Sequence, residues 1–396
     1  MLKKIFISLS LFIFLKGFAQ EEFVPPQAKF IAKFPFTQLI GGLIMIQASV
    51  DTSTTSLNFL LDTGSGGISL DSSTVERLGF VTHPTERQIR GIAGVRKVPF
   101  TYGHYLNFTD FATDTFSFHI NNYALLSSVY GTEINGVIGF SFLRRYIVKI
   151  DYDNQQIEIY SPGTFKYPRN GYLIKPSFST LPLTYFTLQN NHKIVNRYIF
   201  DTGAGLCFLL NKEFVEDNIL LKKNQKVYKT QAEGLGGKIE MGLALIKQVH
   251  IGPYKFKDVP VYIFEDEFNA TSYPHNAGII GNDLLRRFNV ILNYPDKEIH
   301  IKPNSKFSDA FDYSYTGLNI YLIENNIVVG EVVKGSPADK AGFIEGDIIV
   351  AVDNNFSNNI QLIKMALQNV GSSVQVVVSR GNKIQMLILE VVNILH

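Results

Sequence analysis

The strongest constraint on this chain is that it repeats itself. Gly136-Val137-Ile138-Gly139-Phe140-Ser141-Phe142-Leu143-Arg144-Arg145 returns 142 residues later (278 − 136) as Gly278-Ile279-Ile280-Gly281-Asn282-Asp283-Leu284-Leu285-Arg286-Arg287, with six of ten positions identical. Upstream, Phe59-Leu60-Leu61-Asp62-Thr63-Gly64 returns as Tyr198-Ile199-Phe200-Asp201-Thr202-Gly203, at an offset of 139 (201 − 62). Between them, Gly91-Ile92-Ala93-Gly94 corresponds to Gly234-Leu235-Gly236-Gly237, at an offset of 143 (234 − 91). Three features in one order at nearly one spacing indicate a duplicated structural unit. Dense Thr, Val, Ile, Tyr and Phe with frequent turn residues predict short strands in both copies. Leu43–Val50, Asn58–Leu61, Lys97–Tyr102, Gln156–Tyr160, Lys255–Phe264 and Glu298–Lys302 are expected strands. Short helices are expected at Ser72–Leu78 with Asp71 as cap, at Lys212–Asp217, and after each Gly-x-Ile-Gly. The chain therefore reads as mainly β, with homologous lobes at 28–165 and 166–302.

The 396 residues are 45% hydrophobic and 18% charged, which supplies packed cores and excludes a disordered chain. Residues 1–19 read as a secretory signal: Lys3 and Lys4, an apolar run from Ile5 to Leu15, then Gly17-Phe18-Ala19. The run falls short of the ~20 residues a membrane span needs. Cleavage near Ala19 would make the protein periplasmic or secreted, with a net charge of (37 − 3) − 35 = −1. That balance gives no footprint for nucleic acid. One cysteine, Cys207, excludes an internal disulfide and reads as a packing thiol. Arg144-Arg145 and Arg286-Arg287 read as solvated helix ends. No histidine motif indicates a metal, and no cofactor is implied.

A lone Asp-Thr-Gly is ordinary turn chemistry, but two copies in homologous lobes are more. Each follows three apolar residues and so ends a buried strand. Packing the lobes about a pseudo-two-fold axis brings equivalent loops together. Asp62 and Asp201 would then share one proton and titrate as a pair. The ionised partner can deprotonate water while the protonated one polarises a peptide carbonyl. Thr63 and Thr202 can bond across to the opposite loop. Gly64 and Gly203 let backbone pass behind the carboxyls.

On these residues the chain resembles the two-lobed, retropepsin-like aspartic proteases, over about residues 30–302. Such enzymes are the standard illustration of a shared-proton carboxyl pair. The resemblance implies retropepsin- or pepsin-like β-barrel lobes, catalytic Asp62 and Asp201, and supporting hydrophobic-hydrophobic-Gly motifs ending at Gly139 and Gly281. It also implies a glycine-bearing hairpin over the substrate, with Gly91, Gly94, Gly234 and Gly237 as candidates. The second motif departs from the first: Ser65 follows Gly64, but Ala204 follows Gly203 and brings no hydroxyl. Losing that donor should raise the dyad's pKa, giving activity at mildly acidic to neutral pH.

Past a Ser-, Asp- and Asn-rich linker at 303–316, residues 317–396 change pattern. Gly335-Ser336-Pro337-Ala338-Asp339-Lys340-Ala341-Gly342 followed by Gly346-Asp347-Ile348-Ile349 resembles a small α+β PDZ domain. Pro337 should start a short helix and Gly342 end it. A later helix is expected over Asn359–Asn369. The resemblance implies an extended or C-terminal peptide ligand, with Gly317, Leu318, Asn319 and Ile320 in place of the carboxylate-binding loop.

The expected function is an aspartic endopeptidase, monomeric, acting on a protein or peptide. A catalytically silent peptide-binding scaffold is the alternative. A trypsin-like serine protease using Ser65 fails because residues 20–64 hold no histidine upstream of it.

Overall fold

The computed structural model describes residues 25–178, 180–234, 237–309, 311 and 316–393. The expected signal at 1–19 lies outside them. Among the described residues no helix is long and apolar enough to cross a membrane.

In the N-terminal lobe the strands Ile44–Val50, Leu57–Leu61, Gly136–Ile138, Ile68–Asp71, Phe116–Asn121 and Phe100–His104 lie side by side in that order. The C-terminal lobe repeats it: Pro182–Gln189, Lys193–Phe200, Gly278–Ile280, Phe208–Asn211, Tyr254–Phe264 and Gly237–Ile251. There Thr187–Gln189 also pairs with Gln248–His250, which closes the sheet into a ring. In both lobes the Gly-x-Ile strand threads between the strand that ends at the aspartate, parallel to it, and the strand after the loop, antiparallel to it. A ladder partner on each side and full burial explain the unbroken apolar runs.

The helices are short. The N-terminal lobe has α1 (Ser72–Leu78), α2 (Ala124–Tyr130) and α3 (Phe140–Leu143). The C-terminal lobe has α4 (Lys212–Asp217) and α5 (Asn282–Leu285). Asp71 caps α1 through Ser73 N, and Asn211 caps α4 through Phe214 N. The expected strand Lys97–Tyr102 is two strands. Gly94–Lys97 belongs to a separate hairpin with Gln88–Gly91, and Phe100–His104 joins the lobe sheet. Pro99 stands between them and has no N–H to continue one ladder.

The lobes share a six-stranded sheet, ordered Phe30–Pro35, Gln156–Tyr160, Ile147–Asp151, Phe288–Asn293, Glu298–Pro303 and Tyr172–Ile174. At its centre Lys149 faces Ile291 across an antiparallel pair. These residues are 291 − 149 = 142 apart, which is the repeat offset itself. Each is the other's counterpart, so the pseudo-two-fold axis passes between them. One continuous apolar core runs through both lobes.

The C-terminal domain orders its strands as Leu318–Ile323, Asn326–Val332, Ile348–Val352, Ser373–Arg380 and Lys383–Glu390. It has a core of its own. Helix α6 (Pro337–Ala341) is capped by Ser336 and stopped by Gly342 at φ 89°. Helix α7 (Ile360–Ala366) is capped by Asn359.

The stretch before it is not a free linker over its described part. Pro303 ends a strand, and Phe307 and Phe311 pack on Phe256. Arg287, expected on the surface, is 1% exposed. Its guanidinium donates to the carbonyls of Lys306 and Asp309 and lies 4.0 Å from the Phe311 ring centre. An irregular segment offers unpaired carbonyls, and a buried guanidinium is the donor that can satisfy several at once.

Candidate active site

The two Asp-Thr-Gly loops meet at the lobe interface. Asp62 N donates to Ile138 O (2.9 Å) and Asp201 N to Ile280 O (3.0 Å), so each threaded strand fixes one aspartate. Thr63 and Thr202 are fully buried. Thr63 N donates to Thr202 Oγ1 (3.1 Å), and Thr202 N to Thr63 Oγ1 (2.9 Å). Each hydroxyl then donates to the opposite strand, Thr63 to Phe200 O (2.6 Å) and Thr202 to Leu61 O (2.8 Å). These four reciprocal bonds lock the loops, and each threonine hydroxyl both accepts and donates.

Gly64 N donates to Asp62 Oδ1 and Gly203 N to Asp201 Oδ1, both at 2.7 Å. A Cβ on Gly64 would lie 2.3 Å from Asp201 Oδ2, and one on Gly203 would lie 2.2 Å from Asp62 Cγ. Each carboxyl thus rests against the other loop's glycine, where any side chain would displace it. Gly139 and Gly281 lie beneath: a Cβ there would strike Ser65 O (2.4 Å) and Leu206 O (2.0 Å).

The carboxyls hydrogen-bond each other. Burial, foremost, holds Asp62 well above the usual carboxylate range, followed by the charge of Asp201. Burial also raises Asp201, opposed by the bond from Asp62 and by backbone N–H groups of Gly203, Ala204 and Gly64. The pair therefore keeps one proton to a higher pH than an isolated carboxyl would. The expected contrast between Ser65 and Ala204 has a different basis. The Ser65 hydroxyl turns to Gly67 O (3.4 Å), and both residues serve the dyad through backbone N–H groups. The raised pKa comes from burial, not from a missing hydroxyl.

The aspartates open into a cleft of about 860 Å³. Two hairpins overhang it. In the first, Gly91 pairs with Gly94 around the tip Ile92-Ala93. In the second, Gly234 pairs with Gly237 around Leu235-Gly236, which lie outside the described residues. Arg90, Gly91 and Ile92 line the cleft from one side, Gln231 and Ala232 from the other; Gly94 and Gly237 do not. Ile92 packs on the C-terminal lobe's cluster of Ile199, Leu209, Met241, Phe264 and Ile279. Arg90 reaches Asn269 O at 3.2 Å. The first hairpin therefore bridges the cleft.

Cys207 is buried, as expected, but it also donates to Asp283 Oδ2 (2.9 Å), and burial pushes its thiol well up. Tyr294, which no motif marks, is buried with its pKa raised by burial and by both aspartates. It follows the second repeat by a few residues, in the position of Tyr152, so alignment of the copies was the signal for it. Of the expected carboxylate-binding loop, Ile320 is buried in the PDZ core and the Asn319 amide donates to Glu331. Gly317, at φ 71°, packs on Ser336, and Leu318 lies against the core.

The aspartyl protease family profile matches residues 46–142 and 186–284, one segment in each lobe. The PDZ domain profile matches residues 328–380. Putative protease Do-like 14 of Arabidopsis thaliana is 40% identical over 70 residues, which are 18% of this chain and 15% of that protein. The chain thus spans under a sixth of that relative's length. Two matched segments, two threaded loops and one shared dyad agree: the chain belongs to the aspartyl protease family, in a two-lobed form with a PDZ domain at its C-terminal end.

Proposed function

We propose that this protein is an aspartic endopeptidase, with Asp62 and Asp201 as its catalytic pair. The observation that carries this is two half-buried carboxyls brought together at the lobe interface, each held by its own loop's N–H, resting against the other loop's glycine and open to a cleft. An extended peptide lies beneath the hairpins. A water between the carboxyls gives a proton to the ionised one as it attacks the scissile carbonyl. The protonated partner donates to the carbonyl oxygen, giving a tetrahedral diol with no covalent enzyme intermediate. A proton then returns to the amine as it leaves.

Asp62→Asn and Asp201→Asn each keep the shape and remove the acid–base pair. Cleavage of casein and of a peptide library should fall about 10²–10⁴-fold in each. Unchanged cleavage would remove the assignment, and peptide binding without cleavage by the wild type would favour the scaffold. We also propose that the protein acts as a monomer and is exported with cleavage near Ala19. N-terminal sequencing of the mature protein tests the cleavage.

A further inference from the structure

We propose that helix α7 of the PDZ domain forms one wall of the catalytic cleft, and that Met365 on it selects an apolar substrate side chain several residues from the scissile bond. This rests on the aspartic endopeptidase reading and deepens it. In a PDZ domain an edge strand and a helix flank the groove that takes a peptide by strand addition. Here the edge strand is Leu318–Ile323 and the helix is α7. The C-terminal end of α2, from the N-terminal lobe, packs against both. Val129 O accepts from Lys364 Nζ and Tyr130 O from Gln361 Nε2, each at 2.7 Å. Gly131 is so close that a Cβ there would lie 2.2 Å from Ile360 Cγ2. The protease lobe itself occupies this groove.

That contact aims the rest of α7. The Gln361 amide also accepts from Ile40 N (3.0 Å), so both its ends are tied to the N-terminal lobe. Beside Ile40, Gly41 packs on the Gly205 carbonyl of the second aspartate loop. Positions 361 and 365 share one face of α7, and Gln368 follows in the turn after it. With Gln361 anchored, Met365 and Gln368 line the cavity that holds Asp62 and Asp201. Met365 is 59% exposed, an unusual site for a flexible thioether unless it meets something apolar. Leu126 and Val129 line the same end. Together they make an apolar seat for a peptide side chain, while the dyad handles the backbone.

The test compares peptide-library cleavage by the full-length wild type, Met365→Glu and Leu362→Glu. Leu362 is exposed on α7 but does not line the cleft. Met365→Glu should abolish an apolar preference at one position and raise KM for the best wild-type peptide about tenfold, with kcat within about twofold. Leu362→Glu should change neither. An unchanged profile for Met365→Glu, or the same shift in both variants, overturns the proposal. Peptide binding is measured in parallel on Asp62→Asn carrying either α7 change, which requires no cleavage. A wild type that cleaves nothing defeats the endopeptidase reading alone. The wall is then judged by binding: about tenfold weaker with Met365→Glu only supports it, and equal binding rejects it.

Discussion

The carboxyls of Asp62 and Asp201 occupy a place where a neutral side chain would be more stable, and two pH effects follow. Both folded-state pKa values lie above the ordinary carboxylate value. The pair's contribution to stability is therefore complete below the unfolded pKa of about 3.9 and is lost as pH rises through the folded values. Asp62→Asn should raise Tm at pH 7, by about 2–4 °C for each kcal/mol of relieved strain, and should change it little at pH 3. Thermal melts at the two pH values check this; an equal shift at both would contradict it. The same shifts displace the singly protonated window of the dyad upward. The kcat/KM profile should be bell-shaped with its maximum at mildly acidic to neutral pH, and a profile confined below about pH 4 would refute that. Ser65 shows the limit of reading at this scale. Its identity was visible, but which way its hydroxyl turned depended on the Gly67 carbonyl beside it. Thr63 and Thr202 were better defined, because any loop apposition that joins the aspartates also joins them. Thr63→Ala should cost about 1–3 kcal/mol in denaturant unfolding, since Thr202 N loses its buried acceptor.

Elements were legible where their ends carry chemistry. Helices α1, α4, α6 and α7 begin behind Asp71, Asn211, Ser336 and Asn359, each accepting from the first turn. Helix α2 was missed because its N-terminal cap position is Tyr123, with no side-chain cap bond, and its sequence lacks acid or proline in the first turn. It is held by tertiary contact with the PDZ domain, which no local pattern records. The two hairpins were visible only as repeated glycines, and the reach of the first was not. The first extends across the cleft because Ile92 finds an apolar seat on the other lobe. Ile92→Asp should free that tip. Steady-state kinetics should show KM rising about tenfold or more with Tm within a few degrees of wild type, since a lid adds closure rather than core.

At the scale of the whole molecule, duplication gave the two lobes and their axis, but not how firmly the third domain is joined to them. Helix α7 bonds the N-terminal lobe, while Glu331 accepts from Gln231 (2.6 Å) and Tyr321 lies under Lys238 on the second hairpin. Polar contacts between domains leave no sequence period to read. Arg287 likewise looked like half of a surface pair. Arg287→Ala should destabilise the protein by about 3 kcal/mol in urea unfolding, because the carbonyls it gathers lose their donor inside the fold. The strand pair on the axis has one further consequence. Lys149 faces Ile291 there, and its ammonium is held by Glu158 at 3.1 Å. Two N-terminal lobes brought together in the same register would set one Lys149 against another, and like charges directly opposed disfavour strand pairing. Divergence at this single position makes the N-terminal half a better partner for the C-terminal half than for its own copy. Pairing of two N-terminal lobes from neighbouring chains across this strand is thereby disfavoured.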